Sequence, residues 1–305
     1  MPVKSKTALV LGSGGARGLA HIGVIKILEK YNIPIDLIVG TSIGAFIGAF
    51  YAAGIKLSKM EELALATDKK FIAKMLIPGI SKSGFIDGEQ IKNYLKNFLD
   101  DIKIENLHIP FIAVATDIFT GEEVLHTKGS VIDAILTSIA IPGLFKPVPY
   151  KQKYLVDGGL VNPLPVNIAK QFGATRVIAV NVTPEPRQIN ANKENILHSK
   201  LNQKFMEIRN KFKILERIQI NSIKTQNDTF LQAYPNVIQT LRQSLSIMEN
   251  KILELNLKND PPDVLIKPDV RKYDLLAFYK AKEIITAGEA ATLDKINLIT
   301  RLSKK

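Results

Sequence analysis

Apolar residues fall in two rhythms along this chain. Short unbroken apolar runs occur at residues 7–11 (TALVL), 37–39 (LIV), 110–116 (PFIAVAT) and 176–182 (RVIAVNV). Runs without polar alternation predict strands buried on both faces, as in a parallel sheet. Elsewhere apolar positions return every three or four residues, as at Ile22, Ile25 and Leu28, and that period predicts a helix. In order, 7–11 is a strand, 12–18 a glycine-rich loop, 19–31 a helix ended by Pro34, and 37–39 the next strand. That succession is a βαβ unit. Helices are further predicted over 58–70, 88–98, 131–139, 165–172 and 279–302, and strands over 122–126, 153–156 and 264–266.

Residues 37–55 carry no charge and approach the length of a bilayer span, with Gly40, Gly44 and Gly48 in a stripe that would suit helix pairing in lipid. The run divides better into a strand, a tight turn at 40–44 and a buried helix. Both halves then belong to the core of an α/β protein, which accounts for the missing charges.

After Pro184 the pattern changes. Up to about residue 260 the chain is rich in Lys, Asn and Gln. Leu201, Phe205, Ile208, Phe212 and Leu215 form one helical stripe, and Val237, Leu241, Leu245, Met248 and Ile252 another. The expected organisation is a core over 1–185, a helical hairpin inserted over 186–260, and a return strand and helix over 261–305 that complete the core. Residues 187–258 hold 12 basic and 6 acidic side chains, so they carry half of the net charge of +12. Basic residues beside an apolar stripe suit peripheral contact with an anionic membrane surface. A cap over a pocket, an oligomer interface, or two helices packed on the core are the alternatives.

Composition narrows the chemistry. There is no cysteine among the 305 residues, which excludes disulfides, thiolate metal sites and cysteine nucleophiles. Four histidines, His21, His108, His126 and His198, are a thin supply for a metal site. The basic balance favours anionic partners, but no nucleic-acid-binding motif accompanies it and no nucleic acid is expected. The N-terminus lacks a signal-peptide pattern, so the expectation is a cytoplasmic protein.

Three motifs carry chemistry. Gly40-Thr41-Ser42-Ile43-Gly44 fits G-x-S-x-G between a strand and a helix. Such a turn presents a serine hydroxyl, and its flanking residues must be small. Gly12-Ser13-Gly14-Gly15-Ala16-Arg17-Gly18 exposes successive amides to an anion, either a phosphate or the oxyanion of an acyl intermediate. It matches neither G-x-G-x-x-G nor the phosphate P-loop. Asp157-Gly158-Gly159 follows a strand, and a serine needs a base. After Asp157 the one histidine is His198, in the basic polar segment, while His21 and His126 precede it. The histidine supply thus argues for a dyad in which the aspartate contacts the serine.

Together, in this order, the motifs resemble the patatin-like phospholipases, in the branch similar to neuropathy-target-esterase catalytic domains. Residues 138–148 (SIAIPGLFKPV), Ala115-Thr116-Asp117 and a weaker echo at 262–267 add to the likeness. The resemblance implies a three-layer α/β/α sheet, mostly parallel, and a serine hydrolase of lipid acyl esters, phospholipid or lysophospholipid, with no cofactor or metal. It also implies Ser42 as nucleophile, Asp157 as base, Gly40 and Gly44 as the flanks of the nucleophile elbow, and the amides of Gly14, Gly15, Ala16 and Arg17 as oxyanion hole. Arg17 would brace the loop or meet a headgroup phosphate. Ser13 departs from the family, which often has a third glycine there. The reading in a different class is a non-catalytic nucleotide- or anion-binding protein that uses residues 14–18, with Ser42 a bystander.

Overall fold

The computed structural model describes residues 5–76, 86–183 and 237–304. Its strands are β1 (Thr7–Leu11), β2 (Leu37–Thr41), β3 (Phe111–Asp117), β4 (Glu123–His126), β5 (Val148–Tyr150), β6 (Lys153–Asp157), β7 (Arg176–Val180) and β8 (Val264–Ile266). They form one sheet in the order β5-β6-β3-β2-β1-β7-β8, with β4 also paired to β3. The pairs among β3, β2, β1, β7 and β8 are parallel, whereas β4, β5 and β6 enter through antiparallel pairs. The expected apolar runs became the parallel centre because such strands are covered on both faces.

The helices are α1 (Ala20–Lys30), α2 (Ile43–Ala52), α3 (Leu57–Leu65), α4 (Lys69–Leu76), α5 (Glu89–Leu99), α6 (Val131–Ser138), α7 (Val166–Gln171), α8 (Val237–Asn259), α9 (Ala281–Leu293) and α10 (Ile296–Lys304). Strand alternation splits the core in two. Leu9 and Leu11 of β1 and Ile38 of β2 face one layer, with Ile22, Ile25 and Leu28 of α1, Ala45 and Ala49 of α2, and Ile284 of α9. Ala8, Val10, Leu37 and Val39 face the other, with Val166 and Ile168 of α7 and Leu253 of α8. Each fully buried Leu, Ile or Val contributes about 1.5–3 kcal/mol, so both faces hold the sheet. The result is three layers. The uncharged stretch 37–55 is β2 followed by α2, buried in the core.

Several boundaries differ from the sequence reading. The helix expected over 58–70 is two, α3 and α4. Asp68 starts the second by accepting the Phe71 N–H at 2.7 Å, which favours a break over continuation. The helix expected over 279–302 is likewise α9 and α10. The short strand β5 was not foreseen, since Pro149 lies within it. It pairs only with β6, and proline is tolerated on such an edge.

The chain divides into two compact units, Met1–Glu185 with Ser244–Lys305, and Pro186–Gln243. The first helix expected for the inserted hairpin, 201–215, lies outside the described residues. Within α8, the stripe read from sequence is not the packed face. Met248 and Leu241 are exposed, while Asn250 and Leu253 are buried. A mixed face of the helix, with Leu253 as its apolar anchor, is the one pressed against the second core layer. Among the described residues, no helix is long and apolar enough to cross a membrane.

Candidate active site

The site begins where β2 ends. Ser42 stands between β2 and α2 with φ 57° and ψ −124°, in a region that non-glycine residues rarely occupy. Such a conformation costs on the order of 1–3 kcal/mol and persists only where the surroundings enforce it. Here they do. The Ser42 N–H donates to Ser138 Oγ (2.8 Å), and the Ser138 hydroxyl donates to Val114 O (2.6 Å). Thr41 Oγ1 donates to Asn162 O at 2.9 Å. A Cβ on Gly40 would lie 2.5 Å from Ala45 N, and one on Gly44 would press into the Leu11 carbonyl. Both expected small positions are therefore forced by backbone approach.

Asp157 arrives from β6. Ser42 Oγ donates to Asp157 Oδ2 at 2.5 Å, although 115 positions separate the two. The other carboxylate oxygen, Oδ1, accepts the Gly159 N–H at 2.7 Å. Strand β3 sets the spacing of the pair. Thr41 is opposite Val114 and Asp157 is opposite Ala115 in the sheet. Thr116 Oγ1 then donates to the Asp157 carbonyl at 3.0 Å. Asp157 is 5% exposed, and burial pushes its carboxyl up from 3.8 to about 6. The hydrogen bonds from Ser42 and Gly159 pull the other way and keep the rise moderate. A carboxylate near 6 is better suited to exchange a proton at neutral pH than an ordinary aspartate.

The glycine-rich loop follows β1. Gly15 has φ +58° and starts a short helical turn, Gly15–Leu19. The loop is anchored by Gly12 N–H to Val180 O (3.1 Å) and Ser13 N–H to Pro163 O (2.8 Å). Of the four amides expected to hold an oxyanion, that of Ala16 is already used, because it donates to Leu275 O at 2.8 Å. This corrects the expected donor set. Among the described residues no backbone acceptor takes the amides of Gly14 or Gly15. Arg17 is buried, and its Nη1 donates to Tyr273 O at 2.8 Å, which fits the bracing role.

Ser42 and Gly15 both face a cavity of about 210 Å³. Its walls come from α2 (Ile43, Phe46), α4 (Phe71) and α5 (Tyr94), from Leu144, and from Phe278. Among the described residues, apart from Ser42, Thr67 and the Tyr94 hydroxyl, no side chain of the lining is polar. Pockets for whole drug-sized ligands run to about 300–1,000 Å³. This cavity is smaller and almost wholly apolar, and Ser42 is part of its wall.

The patatin-like phospholipase profile matches residues 9–170, just over half of the chain, and this stretch contains both members of the pair. The chain belongs to the patatin-like phospholipase family.

Among relatives of this patatin-like chain, an uncharacterized NTE family protein of Mycobacterium tuberculosis is 40% identical over 177 residues. The match covers 58% of this chain and 49% of the mycobacterial protein. Human patatin-like phospholipase domain-containing protein 6 is 38% identical over 181 residues, which cover 57% of this chain and 13% of that protein. The chain thus spans about half the length of the first relative and far less of the second. Both place it in the NTE-like branch of the patatin family. VipD from Legionella pneumophila superposes with a TM-score of 0.48 and 13% identity, over 97% of this chain and 67% of that one.

Among the described residues, His21 and His126 bond to partners other than the pair. His21 Nε2 is bonded to Gly12 O (2.9 Å), and burial lowers its imidazole to about 4. His126 pairs with Thr137 Oγ1 (2.9 Å), and burial lowers it to about 4 as well. His198 lies outside the described residues. Sequence reasoning missed two residues beside the pair. Ser138 was visible only as part of the stretch 138–148, with no sign of its bond to the Ser42 amide. Glu249, whose Oε1 would lie 2.6 Å from a Cβ on Gly159, carried no motif at all.

Proposed function

We propose that the chain is a serine hydrolase of lipid acyl esters, phospholipid or lysophospholipid, with Ser42 as nucleophile and Asp157 as base. The 2.5 Å bond from Ser42 Oγ to Asp157 Oδ2 on the rim of an apolar cavity carries this reading. Membership of a family of lipid ester hydrolases supports it.

The acyl chain enters the apolar cavity and brings its carbonyl carbon to Ser42 Oγ. Ser42 attacks, and its proton passes to Asp157 Oδ2. The carbonyl oxygen becomes an oxyanion beside the Gly14 and Gly15 amides, where each preorganised donor lowers the barrier by roughly 3 kcal/mol. The tetrahedral intermediate collapses as Asp157 returns the proton to the leaving alcohol oxygen. Water then attacks the acyl-serine as Asp157 accepts its proton, and the Ser42 Oγ–acyl bond breaks as Asp157 returns that proton to Ser42 Oγ, so that the fatty acid leaves and the pair is restored. The steps draw on no metal or cofactor. The basic segment 186–260 would hold the protein against an anionic membrane that presents such substrates.

Ser42→Ala and Asp157→Asn, checked for folding by circular dichroism, should both abolish hydrolysis of p-nitrophenyl acyl esters. A fluorophosphonate probe should label Ser42 in the wild type. Near-wild-type turnover by folded Ser42→Ala, or failure of the folded wild type to label, would return the glycine loop to the anion-binding reading. Rates across phospholipids, lysophospholipids and neutral glycerides, each with and without anionic vesicles, would identify the substrate class.

A further inference from the structure

One carboxyl beside the pair has no part in the steps above. Glu249 stands on the stretch of α8 that belongs to the core unit. One turn further on, Leu253 is buried in the second core layer, and two turns on Asn256 Nδ2 donates to Asn162 Oδ1 at 3.3 Å. These contacts fix this face of α8 over the turn that follows Asp157. A Cβ added to Gly159 would lie 2.6 Å from Glu249 Oε1, 3.1 Å from Asp157 Oδ1 and 3.3 Å from Ser13 Oγ. Three side-chain oxygens therefore converge over one bare glycine. Asp157 turns Oδ2 to Ser42 and Oδ1 to Gly159, so Glu249 lies on the side of Asp157 that the serine leaves open.

We propose that Glu249 is a positioning residue of the pair: held neutral over Gly159, it leaves Asp157 the single anion of the site, and it silences the site when it ionises. The inference rests on the Ser42–Asp157 reading above. Two neighbouring carboxyls ionise in sequence, because the second negative charge is opposed by the first. Asp157 ionises first, since the Ser42 hydroxyl and the Gly159 amide both stabilise its anion. The charged groups that bear on Glu249 are Asp157 at the end of β6 and Arg17 from the glycine-loop turn. Burial raises Glu249 to about 8, the Asp157 charge adds to the rise, and Arg17 offsets part of it. Asp157 sits at about 6, so between the two values the pair holds one proton and Asp157 can act as base. Above that window two negative charges would adjoin the place where the oxyanion forms, and the transition state is disfavoured.

The test is the rate of fluorophosphonate labelling at Ser42 in the full chain, measured from pH 5 to 10 for wild type and Glu249→Gln. The wild type should rise through about pH 6 and fall through about pH 8. Glu249→Gln should keep the rise and lose the fall, so that at pH 9.5 it labels roughly 30-fold faster than wild type. A wild-type rate that stays flat from pH 7 to 9.5 overturns the inference without recourse to any variant. So does a folded Glu249→Gln that retains the alkaline fall. If Glu249→Gln does not fold, the wild-type profile decides together with Glu249→Ala. No labelling of Ser42 at any pH removes the hydrolase reading and this inference together, whereas labelling with a flat alkaline side removes this inference alone.

Discussion

Replacing the buried Asp157 carboxyl should make the protein more stable and, on the proposed function, inactive. In Asp157→Asn the side chain keeps its shape, and its carbonyl oxygen can still accept the Gly159 amide. Only the ionisable group goes. The folded protein raises Asp157 from 3.8 to about 6. At 1.36 kcal/mol per pH unit, that rise corresponds to about 3 kcal/mol. The sign follows from proton linkage. Between pH 4 and 6, roughly, the native state holds a proton that the unfolded chain has released. Native stability therefore falls as pH rises through that window, and the loss is complete above it. Asparagine carries no such penalty, so the variant should gain up to about 3 kcal/mol at pH 8 and almost nothing near pH 4. For a chain of 305 residues that is roughly 5 °C in Tm. Thermal unfolding at a series of pH values, with esterase activity measured in parallel, reads the effect. A gain that does not change with pH, or a variant less stable than wild type at pH 8, would refute the claim that Asp157 is charged and buried at neutral pH.

Two further outcomes follow from particular contacts. Ser138→Ala removes the acceptor of the Ser42 amide and leaves Val114 O without its donor. It should destabilise by about 1–3 kcal/mol in urea unfolding and lower kcat for p-nitrophenyl butyrate more than it alters KM; a rise in KM alone would show that the elbow does not depend on Ser138. Ala64 lines the cavity from α3 and is buried, so Ala64→Phe should lower kcat/KM about tenfold for a dodecanoyl ester while sparing a butyryl ester. An equal loss for both chain lengths would mean that the alkyl chain lies elsewhere.

Much of this architecture was legible in the residues because local and long-range demands agree there. The runs 7–11, 37–39 and 176–182 are too apolar to sit anywhere but the middle of a covered sheet. Gly40 and Gly44 announced a turn with no room for side chains, and the backbone of Ala45 and the Leu11 carbonyl supply the reason. What stayed hidden was decided by partners far along the chain. The Ala16 amide is taken by the carbonyl of Leu275, more than 250 positions away, and no local pattern marks that bond. In α8 the regular apolar stripe did not mark the buried positions, because Leu253, with Leu257 beside it, anchors the packing and brings Glu249 with it. Breaks such as Asp68 were written in the residues, but as an aspartate cap inside an otherwise continuous helical period.

Strand β3 has a consequence for how such a protein can vary. Val114, Ala115 and Thr116 together hold the serine turn and the aspartate turn, through two strand registers and two hydroxyl bonds. The gap between the reacting groups is therefore gauged by three consecutive peptide units rather than by the long connections on either side. Phe71 and Tyr94 of the cavity wall stand on other elements, α4 and α5, so changing them would reshape the cavity and leave that gauge untouched. The shape of the cavity and the spacing of the pair are thus mechanically uncoupled, and one can drift while the other stands still.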